Sequence, residues 1–311
     1  MKVLFVSSGN SKQGISPIVN AQGDSLENLG IGIDYFTIIG HGIIGYLQNV
    51  SRLRHKLRND KYDLVHAHFS FSGIVATLAG AKPIVVSLMG WNVQKPLLKL
   101  TIKIFNKLFW DACIVKSTRM SSALKIKGVH VIPNGVNLDL FKPIDRHVAR
   151  KQLGWDPDKY HFLCASDPKR PIKNASLALS AFDLIKEDNY ELHFLGGVSF
   201  KDVVHYYNAS DVVFLTSRAE GSPNVIKEAL ACNRKIVSTD VGDVSERFRD
   251  NPACFIAMHD ANDIADKLMA ALSYNQSPNT RELVQDLDSK IIADKLATIY
   301  RQVLRIENGK S

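Results

Sequence analysis

With 311 residues the chain has room for two domains of ordinary size, each able to close a hydrophobic core. Its 45% hydrophobic and 23% charged residues are those of a globular protein rather than a disordered one, and no apolar run reaches the ~18 residues of a membrane span. The net charge of +8 is unevenly placed: residues 1–140 hold 16 Lys/Arg against 7 Asp/Glu, whereas residues 141–311 hold 23 against 24. The first half therefore expects an anionic partner, either a membrane surface or a phosphate-bearing acceptor. With no recognition motif and no basic–aromatic interleaving, nucleic acid is not expected. Cys113, Cys164, Cys232 and Cys254 are scattered without a Cys-x-x-Cys pair, which suits buried, reduced thiols in a cytoplasmic protein.

In chain order, the first half alternates strand and helix. Strands are expected near 2–8, 34–39, 63–67, 83–88, 112–115 and 129–132, with helices over 17–29, 46–59, 72–79 and 96–110. The opening Met1-Lys2-Val3-Leu4-Phe5-Val6 is too short for a signal h-region and reads as the first strand. It runs into a small, polar loop, 8–17, that contains Gly14 and ends in Ser16-Pro17, a helix start. His66-Ala67-His68 puts two imidazoles on one face of a strand end; spacing offers no third metal ligand, so hydrogen-bonded histidines are expected there. Lys95, Lys99, Lys103 and Lys107 recur every four residues. On a helix they form a basic stripe beside Leu98, Ile102, Phe105 and Phe109, which are expected to pack on the sheet; a membrane-surface role for the stripe is the alternative. Asn134-Gly135 and the prolines at 133 and 143 mark a turn and an extended linker.

The second half repeats the alternation, with strands near 160–165, 191–195, 212–215, 235–238 and 253–256. Asp156-Pro157-Asp158 lies before a strand, not at a strand exit, and reads as a turn. The loop 166–174 carries Lys169, Arg170 and Lys173 between prolines and directly before a helix, where cations can clamp a diphosphate. Residues 211–228 are the densest stretch. Val212–Leu215 reads as a strand buried on both faces, followed by a polar turn and a helix start with Ser222 as N-cap and Pro223 at the first helical position. Backbone N–H groups around Gly221, Ser222, Pro223, Asn224 and Val225 and the helix dipole would hold an anion. Glu220 lies before the cap and Glu228 about one and a half turns beyond it, leaning back. A ligand with phosphate at the helix end and hydroxyls on either side, as in a sugar nucleotide, would meet both carboxylates.

The run Glu220-Gly221-Ser222-Pro223 to Glu228 resembles the Glu-x7-Glu signature of the family 4 retaining glycosyltransferases of the GT-B fold. Residues 131–143 are similar to that family's Ile-Pro-Asn-Gly-Val-Asp-x-x-x-Phe-x-Pro interdomain segment, with Asn137 for the Asp. Residues 235–243 are similar to its strand and Asp-Val-Gly turn, and His66-Ala67-His68 is frequent in it. The resemblance implies an α/β fold of two Rossmann-like, doubly wound parallel-sheet domains facing across a cleft. Residues 1–140 would be the acceptor side, 141–289 the nucleotide-sugar side, and a terminal helix in 290–311 would cross back to the first domain. It implies that Glu220 contacts the donor sugar, Glu228 the ribose, and Lys173 with Arg170 the leaving diphosphate. Gly14 and Met89 would approach the donor from the first domain.

Departures are visible. The glycine pair of the first loop is reduced to Gly14, and Asp167 stands where the family has an Arg. In the segment matching His-Gly-Ser-Asp-Val, Met89, Trp91 and Asn92 replace the His, Ser and Asp. The function implied is transfer of a sugar from a nucleoside diphosphate to a glycan or glycolipid, with retention and without a metal or other cofactor, in bacterial surface-polysaccharide assembly. A sugar-nucleotide epimerase and a non-catalytic nucleotide- or partner-binding protein of the same fold are the alternatives.

Overall fold

The computed structural model describes residues 1–10, 14–90 and 95–308, the last three of these by backbone alone. The chain forms two compact units: Met1–Gly135 with Ser289–Ser311, and Val136–Asp288. The sequence expectation placed this division five residues later, at 140/141.

The first unit holds a parallel sheet of β1 (Lys2–Ser8), β2 (Gly32–Ile38), β3 (Leu64–His68), β4 (Ile84–Ser87), β5 (Ala112–Val115) and β6 (His130–Val131), in the order β2-β1-β3-β4-β5-β6. Val3, Leu4, Phe5 and Val6 are all fully buried, because a parallel strand is covered by helices on both faces. The covering helices are α1 (Pro17–Glu27), α2 (Gly42–Leu47), α3 (Asn49–Asn59), α4 (Ser70–Ala79), α5 (Pro96–Leu108), α6 (Thr118–Leu124) and the terminal helix, here α13 (Ser289–Asn308). α1 and α5 each open on proline, whose missing N–H costs nothing in the first turn. α13 packs on α1, and its Tyr300 is buried against β3.

The second unit repeats the plan with β7 (Tyr160–Cys164), β8 (Tyr190–Phe194), β9 (Val212–Leu215), β10 (Lys235–Thr239) and β11 (Cys254–Ala257), all pairs parallel and in the order β11-β10-β9-β7-β8. Around them lie α7 (Arg146–Leu153), α8 (Ala175–Ile185), α9 (Val203–Ala209), α10 (Asn224–Ala231), α11 (Val244–Phe248) and α12 (Ala261–Ser273). Asp145 caps α7 through Val148 N–H, and Asp260 caps α12 through the N–H groups of Asn262 and Asp263.

The two connections between units run side by side. A Cβ on Gly135 would stand 2.7 Å from Ser289 Cα, which explains the glycine, and Val136 bridges to Asp288. Asn137 accepts from the N–H groups of Asp139 and Leu140 through Oδ1, at 3.0 Å each, so it does the turn-closing work an Asp would do.

Several expectations are corrected. The single helix over 46–59 is two, α2 and α3: the Asn49 amide donates to the Gly45 carbonyl and competes with the main-chain ladder at that turn. α6 and α7 were not marked in the sequence; each is short, and each starts at a side-chain cap, Ser117 or Asp145. On α5, Ile102 is buried and Leu98 and Phe105 pack on the core as expected, but Phe109 is the C-cap and is 49% exposed. A second apolar row, Leu97, Leu100, Ile104 and Leu108, faces outward beside the lysines. No helix among the described residues is long and apolar enough to cross a membrane.

The base of β9 is fixed by a buried ion pair. Asp211 accepts from Arg150 Nη2 and Arg146 Nη1 at 2.6 Å each and from the backbone N–H of His161 at 2.7 Å. The Arg150 guanidinium also donates to the Ala209 and Pro157 carbonyls. Removing one partner would strand a buried charge, so Arg150→Ala should lose about 3–5 kcal/mol, whereas Arg146→Ala, whose side chain is half exposed, should lose under about 1 kcal/mol. Urea unfolding followed by tryptophan fluorescence measures both; similar losses would show that the burial of Arg150 does not set the cost.

Candidate functional site

In each sheet the strand order reverses once beside the first strand of the unit. In an open parallel sheet that reversal leaves a crevice beyond the carboxyl ends of the two strands concerned, where ligands bind. In the second unit these strands are β7 and β9, and the segments that leave them are 166–174 and 216–223. Both were singled out from sequence for their chemistry, and the topology makes them neighbours.

The loop after β7 is built on its own turns. Asp167 accepts from Lys169 N–H through its side chain and from Arg170 N–H through its carbonyl, so the residue standing in place of a family Arg shapes the loop. Arg170 is exposed. A 3₁₀ turn, Pro171–Lys173, follows, and Asn174 at φ +56° ends it before α8 begins. The loop is then tied to the segment after β9. Thr216 Oγ1 donates to the carbonyls of Lys173 and Asn174, Arg218 N–H donates to the Ile172 carbonyl, and the Arg218 guanidinium reaches Asn174 Oδ1. These ties hold Lys173 with its side chain 10% exposed and Nζ 2.6 Å from Glu220 Oε1. Lys173 and the first carboxylate of the pair thus form an ion pair across the reversal point.

The helix after β9 starts one residue later than expected. α10 begins at Asn224 with Pro223 at the cap position, so Ser222 is not the N-cap. Its hydroxyl instead donates to Asp243 Oδ2 at 2.8 Å, in the turn after β10. The reason is packing: Gly242, at φ +62°, lies against Gly221 and Pro223, where a Cβ would meet Gly221 O at 2.9 Å. Gly221, Ser222 and Pro223 are buried beneath this contact, while Asn224 and Val225 at the helix start are half-buried.

Glu228 lies on the same helix, and Tyr207 of α9 donates its hydroxyl to Oε2 at 2.8 Å. Burial pushes the Glu228 carboxyl up to about 7, with the Tyr207 hydrogen bond and the charges of Lys227 and Lys173 pulling the other way. Lys173 therefore acts electrostatically on Glu228 while bonding Glu220. Lys227 beside it is drawn down to about 8 by burial, against the pull of Asp243. Sequence reasoning missed Thr216, Tyr207, Arg218 and Asp243. Tyr207 and Asp243 left no local signal, since they act from α9 and from the turn after β10.

In the first unit, Gly14 at φ +71° follows β1 and half-buried Met89 follows β4. Trp91 and Asn92 lie outside the described residues. His66 is hydrogen-bonded as expected, to the Tyr300 hydroxyl at 2.6 Å and to Ser87 Oγ at 2.8 Å. The expectation fails for His68: it stacks on His66 at 4.3 Å between ring centroids, and neither ring nitrogen finds a partner among the described residues. Burial holds His66 well below the ordinary imidazole range and His68 at about 3, so both are neutral.

The position of Glu228 has a consequence for stability. Unfolded, its carboxyl ionises near 4.5; folded, it holds its proton to about 7. Between these values the folded chain binds the extra proton, so stability falls as pH rises toward 7. Urea unfolding of wild type and Glu228→Gln at pH 5.5 and 8 should show the wild type losing about 2 kcal/mol relative to the variant over that interval. A difference that does not change with pH would place the Glu228 carboxyl in the ordinary carboxylate range.

Two family models account for most of the chain. Residues 12–140 match "Glycosyltransferase Family 4" and residues 141–274 match "Glycosyl transferases group 1". A D-inositol 3-phosphate glycosyltransferase of Pseudarthrobacter chlorophenolicus is 24% identical over 72% of this chain and 66% of its own length. A putative teichuronic acid biosynthesis glycosyltransferase of Bacillus subtilis is 27% identical over 66% of this chain and 60% of its own length. The chain thus spans about two thirds or less of these two relatives. Among solved structures, sucrose-phosphate synthase from Thermosynechococcus elongatus superposes with a TM-score of 0.86 at 19% identity, over 98% of this chain and 100% of that one. Anabaena HepE in complex with UDP-glucose gives 0.73 at 18% identity, over 99% and 100%. The two-unit architecture is the GT-B fold, and the chain belongs to the family 4, group 1 glycosyltransferases.

Proposed function

We propose that this protein transfers a sugar from a nucleoside diphosphate donor to a glycan or lipid-linked acceptor, with retention of anomeric configuration. The observation that carries the reading is the Lys173–Glu220 ion pair beside the α10 N-terminus and a protonatable, half-buried Glu228. The bond from the sugar to the diphosphate breaks and a bond to the acceptor oxygen forms, so negative charge grows on the departing diphosphate. Lys173, Arg170 and the N–H groups of Gly221, Ser222, Asn224 and Val225 stabilise that charge without a divalent metal. Glu220 orients the transferred sugar and Glu228 accepts from the ribose hydroxyls. In the free protein Lys173 is neutralised by Glu220; the incoming diphosphate takes over the lysine and leaves Glu220 for the sugar. The UDP-glucose complex of the Anabaena protein supports a nucleotide-sugar donor, and the Bacillus relative, named for teichuronic acid biosynthesis, supports a role in polysaccharide assembly.

The two carboxylates are separable by calorimetry. Glu228→Gln should weaken nucleoside diphosphate binding by roughly ten- to a hundredfold, the worth of charge-assisted hydrogen bonds to the ribose. Glu220→Gln should leave that affinity unchanged or severalfold tighter, because Lys173 is released, while turnover falls. Equal loss of nucleotide affinity in both variants would reject the division of labour. Turnover of the folded wild type should persist in EDTA, and loss restored by Mg²⁺ or Mn²⁺ would reject metal-free transfer.

The lipid side of the reading rests on α5, whose outward row Leu97, Leu100, Ile104 and Leu108 runs beside Lys99, Lys103 and Lys107 in a unit with excess positive charge. Apolar insertion and basic attraction act together on an anionic surface, at ~1 kcal/mol per lysine. Sedimentation with phosphatidylglycerol vesicles at low ionic strength should recover the protein, and recovery should fall with salt and in the Leu97→Asp/Leu108→Asp double variant. Equal recovery with neutral vesicles, or none with either, would overturn the membrane role.

A further inference from the structure

On the sheet of the second unit, on the face shared by the amino half of β7 and the edge strand β8, His161, Glu191 and His193 bring three ligand atoms within 4.8 Å of one another. We infer that they form a binding site for a divalent transition-metal ion, with zinc the ion best suited to two imidazoles and one carboxylate. No sequence spacing announces this site. His161 is the second residue of β7, and Glu191 and His193 are the second and fourth of β8; the parallel register sets His161 opposite Glu191 and Leu163 opposite His193. Alternation along a strand then turns all three side chains to one face.

The geometry suits a metal. His161 Nδ1 is 2.9 Å from His193 Nε2 and 3.5 Å from Glu191 Oε2, and His193 Nε2 is 3.7 Å from the same oxygen. A tetrahedral zinc at its usual bond lengths needs ligand atoms about 3.3 Å apart, inside the span of these three distances.

Each ligand is also held by a second group, as metal ligands are. His161 Nε2–H donates to the Asp156 carbonyl at 2.7 Å, which leaves Nδ1 as the lone-pair nitrogen. Trp155 stacks on His193 at 3.6 Å and 12°, fixing its ring plane, and Tyr206 meets Trp155 edge-on. Lys159 donates to Glu191 Oε1 at 2.8 Å and leaves Oε2 toward the imidazoles. Without metal, His193 Nε2–H donates to His161 Nδ1. Metal entry requires only that this proton move to His193 Nδ1, a change of tautomer with no net proton lost. The His161 side chain is fully buried, whereas those of His193 and Glu191 are 18% and 34% exposed, so an ion enters from the solvent side and keeps water at its remaining position. Bound there, it would tie the edge strand β8 to β7.

The test uses the full chain, stripped with chelator and needing neither nucleotide nor sugar, so its outcome is independent of the transferase reading. Equilibrium dialysis against Zn²⁺ should give one bound equivalent, and Co²⁺ should give the visible absorption of a tetrahedral nitrogen–oxygen site. His193→Ala and Glu191→Ala should weaken Zn²⁺ binding by at least roughly a hundredfold, since even groups behind the ligands are worth ten- to a hundredfold. His147→Ala, an exposed histidine on α7, should bind as the wild type does. Absence of Zn²⁺ uptake by the wild type, a six-coordinate cobalt spectrum, or retained binding in folded His193→Ala would each overturn the site. The wild-type cobalt spectrum decides even if the variants fail to fold.

Discussion

Much of the second unit depends on one buried carboxylate. Asp211 stands at the start of β9 and holds Arg150 of α7, Arg146 and the main chain of His161 in β7 at once. It therefore fixes the register of β7 against β9 at their amino ends. A parallel pair so fixed delivers its carboxyl ends in register too, and from those ends depart the two segments that meet in the Lys173–Glu220 pair. A cation buried at the base of the sheet thereby sets where Lys173 stands at the carboxyl ends of the strands.

Within the site, charge is arranged around Lys173. It neutralises Glu220 and pulls on Glu228, yet Glu228 still sits near 7 because burial outweighs the pull. Glu228 keeps its proton although the charges of both Lys227 and Lys173 favour the ionised form. One stable solution is to keep a proton on Glu228, and Tyr207 hydrogen-bonds the carboxyl that results. An incoming diphosphate would compete for Lys173, and an incoming diol would favour the ionised form of Glu228, so the two ends of such a ligand act on the same small electrostatic system.

The sequence was legible where the physics is local. Buried strands such as Val212–Leu215 showed as continuous apolar runs, proline marked the starts of α1 and α5, and the cations of 166–174 and the two glutamates stood out by type and spacing. It was illegible where a residue acts from another element. Ser222 has the composition of an N-cap, but Gly242 packing and Asp243 claim the turn and its hydroxyl. Tyr207 reaches Glu228 from α9, and Thr216 reaches back to the loop after β7. Phe109 has the right spacing for the core face of α5, yet the helix ends one residue earlier and leaves it half exposed. In the first unit, His66 and His68 read as an equivalent pair, but alignment with Ser87 and Tyr300 satisfies only the first.

The edge strand β8 shows how position can give a polar cluster two uses. An edge presents unpaired main-chain groups, and natural sheets guard it with charged side chains. All five residues of β8 are half-buried, an uncommon pattern for a parallel strand, and Glu191 with His193 places polar groups on one face of it. Protection alone, however, asks only for charge. It does not ask that Asp156 fix the tautomer of a fully buried His161, that Trp155 set the plane of His193, or that Lys159 hold one oxygen of Glu191 and leave the other turned inward. Three separate restraints on three convergent atoms exceed what edge protection requires, and they are the restraints that ligation requires.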